Sequence, residues 1–187
     1  RGSENGTRTR GTRSTSALDF GSAWTYAPSP ESTDHVQIDR RYELFIGGEW
    51  VKPQSGRYFD THSPSTEEKL AEVADADERD VDRAVAAARY AYERYWRDMR
   101  PIDRAKYIYR IAGPLQEKSR ELAVVESMDG GKPIKESRDV DVPLAANHFF
   151  YYAGWADKLR YAFSGGNARP LGVAGQVIPW NFPLLMA

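Results

Sequence analysis

Between Asp77 and Leu159 apolar side chains recur every three or four positions, in blocks separated by proline and glycine. That period places them on one face of a helix and excludes an all-β fold for the middle of the chain. Val81, Ala84, Val85, Ala88, Tyr92 and Tyr95 form the first block. Asp77 opens it, and Asp80 lies near the positive N-terminal end. Pro101 separates it from a second block carrying Ala105, Ile108, Ala112, Leu115, Leu122 and Val125. Pro114 should kink or split that helix, with Ser119 capping the second half and Gly130-Gly131 ending it. A third block starts after Asp141, with Pro143 in its first turn. Its stripe of Leu144, His148, Tyr151, Tyr152, Trp155 and Leu159 is expected to face the core.

Extended segments flank the helices. "YELFIGGEWV" sets β-favouring residues on both sides of Gly47-Gly48, the signature of a tight hairpin. A further extended piece is expected at Lys69–Ala74, after the turn-rich "THSPSTEE". Near the end, "GQVI" reads as a short buried strand broken by Pro179. Residues 1–35 are rich in Gly, Ser, Thr, Arg and Pro and are expected to be a disordered or extended lead. Arg8, Arg10 and Arg13 form a basic patch there that lacks the amphipathic period and aromatic interleave of a targeting or nucleic-acid arm, and Leu18, Phe20 and Trp24 could pack onto a partner surface.

Composition narrows the functional classes. A net charge of −1 over 187 residues gives no field to hold a nucleic acid. No apolar run approaches the ~20 residues of a membrane span. The chain has no cysteine, which excludes disulfides and thiol chemistry within it and agrees with a cytoplasmic setting. His35, His62 and His148 lack paired ligand spacing, so no metal site is expected. Glu126 and Lys132 suggest an acid–base pair, but the favoured reading is solvated charges beside a helix stop. "SGGN" lacks the spacing of a phosphate-binding loop.

A strand ending at Pro179, followed by Trp180, Asn181 and Pro183, sets Asn181 in the crevice beyond a strand's carboxyl end, where α/β sheets bind ligands. Two readings of Asn181 fit. Its neutral amide suits an oxyanion stabiliser or ligand anchor, and it equally suits a cap on the following helix.

"GVAGQVIPWNFPLLMA" closely resembles the segment of the aldehyde dehydrogenase superfamily that leads into its cofactor crevice. In the same order, "ELFIGGEWV", "EKLAEVADADERDVDRAVAAARYAY", "ESMDGGKPIKES" and "YYAGWADK" resemble earlier parts of that family, covering about residues 42–187. The resemblance implies an α/β chain forming the N-terminal part of the aldehyde dehydrogenase fold: hairpin and helices, then the first strand of a Rossmann-like cofactor sheet. It divides the chain into the lead (1–35), a helical part of the cofactor-binding domain (36–158), a shortened oligomerisation hairpin (159–173), and the first sheet strand with the start of its helix (174–187).

The implied chemistry is NAD- or NADP-dependent oxidation of a small aldehyde to an acid through a cysteine thiohemiacetal. By motif match Asn181 carries over as the oxyanion donor. Val177, Ile178, Pro179, Trp180 and Asn181 carry over as cofactor contacts, and Phe182 and Met186 as lining of the aldehyde tunnel. The departures are equally specific. The nucleophilic Cys, the base Glu, a ribose-holding Lys strand and a Gly-rich turn are missing, and the ending reads as a cut placing them past Ala187. The short Lys158–Pro170 stretch implies a homo-oligomer limited to dimers. Gly130 stands where the family often has Asn, and Pro114 interrupts a usually unbroken helix. The rival reading is a non-catalytic scaffold or interaction module with the same shell. A free-standing helical binding module is disfavoured by the apolar "NFPLLMA".

Overall fold

The computed structural model describes residues 32–163 and 170–187. Among the described residues, strands β1 (Arg41–Tyr42), β2 (Leu44–Ile46), β3 (Glu49–Val51), β4 (Tyr58–His62) and β5 (Lys69–Ala74) precede seven α-helices. β2 and β3 pair antiparallel as the expected hairpin. Both turn glycines take positive φ, 67° at Gly47 and 92° at Gly48, which a two-residue turn matched to the strand twist requires. β5 is the centre of a separate three-stranded sheet, parallel to β1 and antiparallel to β4. β4 carries no clear strand signal: its sequence YFDTH mixes polar and β-favouring residues and runs into the turn segment.

Helix α1 (Glu78–Ala91) begins where expected. Asp77 accepts hydrogen bonds from the backbone of Arg79 and Asp80, and the Asp80 side chain reaches back to the Asp77 N–H, completing a capping box. Asp80 is buried and also accepts from the Gln54 N–H at 3.0 Å, tying the loop after β3 to the helix. A π-helical turn (Tyr92–Trp96) extends α1, closed by the Arg97 N–H donating to the Tyr92 carbonyl. α2 (Pro101–Glu117) passes through Pro114 and stops at Lys118, which precedes α3 (Ser119–Gly130). The split thus falls after Lys118 rather than at the proline. No side chain caps α3, because Ser119 is already its first helical residue. Gly131 closes α3 in the left-handed region at φ 71°.

Next come α4 (Ile134–Glu136), a π-helical turn (Ser137–Asp141), and α5 (Val142–Trp155) with Pro143 in its first turn. α5 packs on α2 through small residues: Ala145, Ala146 and Ala153 on one side, Ala105 and Ala112 on the other, all buried. Small side chains let the backbones approach closely. The aromatic stripe expected in the core therefore lies elsewhere. Tyr151 and Tyr152 are about three-fifths exposed, and Leu144, Trp155 and Leu159 over a third. Val81 and Val85 of α1, and Tyr95 of the π-helical turn that extends it, are likewise exposed. Helical period identifies apolar faces, not what covers them.

The strand expected around "GQVI" does not form a ladder. Residues 170–179 contain neither helix nor strand, since no other described strand lies alongside to take their backbone hydrogen bonds. Leu159–Ala162 forms a helical turn, α6, where the oligomerisation hairpin was expected to begin. "SGGN" and most of the 1–35 lead lie outside the described residues. The last element is α7 (Pro183–Met186).

Candidate functional site

Where α3 ends, the chain turns through Gly131 and delivers Lys132 inward. Its ammonium donates to Glu126 Oε1 at 3.1 Å and to Asp141 Oδ2. The three side chains are nearly or wholly buried, with 11%, 5% and 2% of the Lys132, Glu126 and Asp141 side chains exposed. The π-helical turn helps to aim Asp141. One extra residue in a turn rotates the helix beyond it, and here both Ser137 and Asp141 point inward. Ser127 donates to the Ser137 hydroxyl at 3.0 Å and ties that turn to α3.

The charges of this triad are unequally satisfied. Glu126 Oε2 is buried without a partner among the described residues. Burial pushes the Glu126 carboxyl pKa up, Lys132 opposes the rise, and neighbouring Asp141 reinforces it. Burial works to lower the Lys132 pKa, but hydrogen bonds to Asp141 and Glu126 outweigh it and leave the ammonium more basic than usual. The triad overturns the expectation of solvated charges. Its sequence signal is the apolar company of its members, Ala123-Val124 before Glu126 and Val142 after Asp141. By sequence alone Asp141 marks only a helix boundary.

Above the triad lies the turn Pro179–Pro183. The Phe182 ring faces the Lys132 ammonium, 4.2 Å from nitrogen to ring centroid. Ile178, Pro179 and Trp180 line one side of a cavity of about 820 Å³, opposite Phe59 and Thr61 of β4 and the end of α3. Thr61 donates to Asp129 Oδ1 at 2.5 Å, bracing β4 against α3 at the cavity wall. Trp180 is 93% exposed and Val177 fully exposed, so Val177 stands apart from this cavity. The exposed Asn181 carboxamide makes no hydrogen bond to the described residues. It caps nothing: the N-cap position of α7 is Phe182, with no side-chain cap. Met186 lines a different cavity of about 320 Å³ against α2 and α5, with Ile108 and Phe149. Phe182 does not line that cavity.

Residues 50–187 match the model of the aldehyde dehydrogenase family. The chain belongs to that family. A putative aldehyde dehydrogenase, DhaS, of Bacillus subtilis is 44% identical over 169 residues, which are 81% of this chain and 34% of that protein. Aldehyde dehydrogenase B of Escherichia coli is 40% identical over 81% of this chain and 31% of its own length. The chain therefore spans about a third of the aldehyde dehydrogenases it resembles. An NAD+ complex of an aldehyde dehydrogenase from Bacillus cereus superposes with a TM-score of 0.73 at 39% identity, over 80% of this chain and 32% of that one. The mixed helix and strand architecture is the α/β fold of these aldehyde dehydrogenases.

Proposed function

We propose that this chain supplies the oxyanion-donor turn and one wall of the cofactor crevice of an NAD- or NADP-dependent dehydrogenase that oxidises an aldehyde to a carboxylic acid. The observation that carries the reading is Asn181, whose carboxamide is exposed and unengaged on a turn beside an open cavity. An unengaged amide is available to donate to an oxygen as negative charge develops on it. Being neutral, it does so without titrating, and a preorganised donor of this kind stabilises charge that exists only during reaction.

The cavity suits part of a nicotinamide nucleotide. Ile178, Pro179 and Trp180 give it an apolar side, and its charged lining, Glu126 and Asp129, is acidic. That surface fits a cationic nicotinamide ring and repels a pyrophosphate, so the phosphates belong against groups other than these. Ile178, Pro179 and Trp180 would hold the ring end, and the bound nucleotide would take up the hydride. Phe182 and Met186 would flank the aldehyde's carbon chain.

The sequence contains no cysteine. A nucleophilic thiolate would therefore come from residues other than these 187, in keeping with a chain that spans about a third of its relatives, and the resemblance assigns the general-base Glu to the same source. The test is aldehyde-dependent reduction of NAD or NADP by the whole-length polypeptide carrying this sequence. Reduced nucleotide formed in proportion to aldehyde supports the reading. Nucleotide binding without turnover would contradict it and favour a non-catalytic scaffold.

A further inference from the structure

We propose that Lys132 is a positioning residue for Asn181 and acts through the ring of Phe182; this rests on the role assigned to Asn181 above. The ammonium has three donors. One goes to Glu126 and one to Asp141, from two different elements. The Phe182 ring occupies a third side at 4.2 Å. A cation is drawn to an aromatic face by the ring's quadrupole, more strongly where water is excluded, and Lys132 is nearly enclosed. Two carboxylates hold the cation, and the cation holds the ring.

The turn has few other anchors. Trp180 and Asn181 are exposed, and the Asn181 side chain has no partner among the described residues. The Trp180 carbonyl approaches Gly130, lying 3.9 Å from where a β-carbon would stand. Phe182 adjoins Asn181, and a planar peptide leaves two soft dihedrals per residue between them. Fixing the ring therefore narrows the directions open to the amide. A buried ion triad is also a poor device for stability alone, since apolar side chains of similar volume stabilise as well or better. A directional task gives this one a reason to be ionic.

The experiment uses the whole-length dehydrogenase carrying this sequence, with Phe182→Leu, Lys132→Met and Asn181→Ala singly and in pairs. It reads kcat at saturating aldehyde and NAD, the NAD dissociation constant by calorimetry, and the melting temperature. Phe182→Leu keeps an apolar side chain and leaves the triad whole. It is expected to lower kcat roughly tenfold, with NAD affinity and melting temperature near wild type. Added to Asn181→Ala, it should cost nothing more in kcat at saturating aldehyde, because the group it positions is gone, while a lost contact with the aldehyde's carbon chain appears in KM. Lys132→Met with Phe182→Leu should turn over no more slowly than Lys132→Met alone.

Phe182→Leu with kcat within about twofold of wild type would overturn the proposal. So would losses from Phe182→Leu and Asn181→Ala that multiply. If Lys132→Met fails to fold, the Phe182–Asn181 pair decides alone. An Asn181→Ala enzyme with unchanged kcat sinks the oxyanion reading itself, whereas a slow Asn181→Ala enzyme beside an intact Phe182→Leu enzyme sinks the positioning role only.

Discussion

Glu126 shows how one buried carboxylate sets a pH dependence. Its pKa is raised by burial, against the pull of Lys132, so the folded chain binds this proton more tightly than the unfolded chain does. Its contribution to stability is accordingly full below the ordinary glutamate pKa and is lost as pH rises through the raised value. Glu126→Gln removes the ionisation and retains an oxygen in place of the carboxylate. The variant is expected to gain stability relative to wild type as pH rises through that range, read as melting temperature against pH. A difference that stays flat, or shrinks as pH rises, contradicts this account of the triad. Lys132→Met acts in the opposite sense, leaving two buried carboxylates without their cation. Breaking a buried pair costs about 3–5 kcal/mol.

Two glycines separate backbone need from backbone permission at the scale of the element. Gly131 ends α3 at φ 71°, and a β-carbon there would meet the Pro64 side chain at 3.0 Å. Gly154 lies within α5, and a β-carbon there meets nothing within 4 Å. Gly131→Ala should therefore destabilise, by more than the roughly 0.4–1 kcal/mol that a compatible Gly→Ala change gains. Gly154→Ala should stabilise by about that amount, as alanine favours a helix interior. Denaturant unfolding of both variants checks the opposed signs.

The same elements show what the sequence made legible. The hairpin, the start of α1 at Asp77 and the end of α3 at Gly131 were readable because each depends on local chemistry: paired glycines, a capping side chain, a left-handed residue. The π-helical turn at Ser137–Asp141 was not, because one extra residue in a helix leaves no periodic mark. With it went the inward aim of Asp141 and the burial of Lys132. At the site, Asn181 was legible as a candidate, and the structure speaks to the cap reading alone: Phe182, not Asn181, holds the N-cap position of α7. The exposed faces of α1 and α5 were misassigned to the core because periodicity carries no information about partners.

Seen whole, the chain leaves much apolar surface uncovered. Val81, Val85, Tyr151, Tyr152, Leu171, Val177 and Trp180 are all exposed, several of them fully or nearly so. Exposed patches of this kind mark surfaces that bind other chains or aggregate. Isolated residues 1–187 are expected to bind a hydrophobic dye strongly and to melt without a sharp transition. They should also bind NAD weakly, because the cavity beside Ile178–Trp180 has no basic residue in its lining to hold phosphates. A soluble monomer with cooperative melting, or with micromolar NAD affinity, contradicts that description.

Steady-state kinetics of Asn181→Ala in the whole-length polypeptide carrying this sequence tests the proposed oxyanion role of Asn181 most directly. Loss of one oxyanion donor typically costs about 2.7–4 kcal/mol, roughly a hundred- to thousand-fold in kcat. That loss should appear with NAD affinity and melting temperature little changed, because the interaction exists only in the transition state. A kcat within a few-fold of wild type would contradict the account.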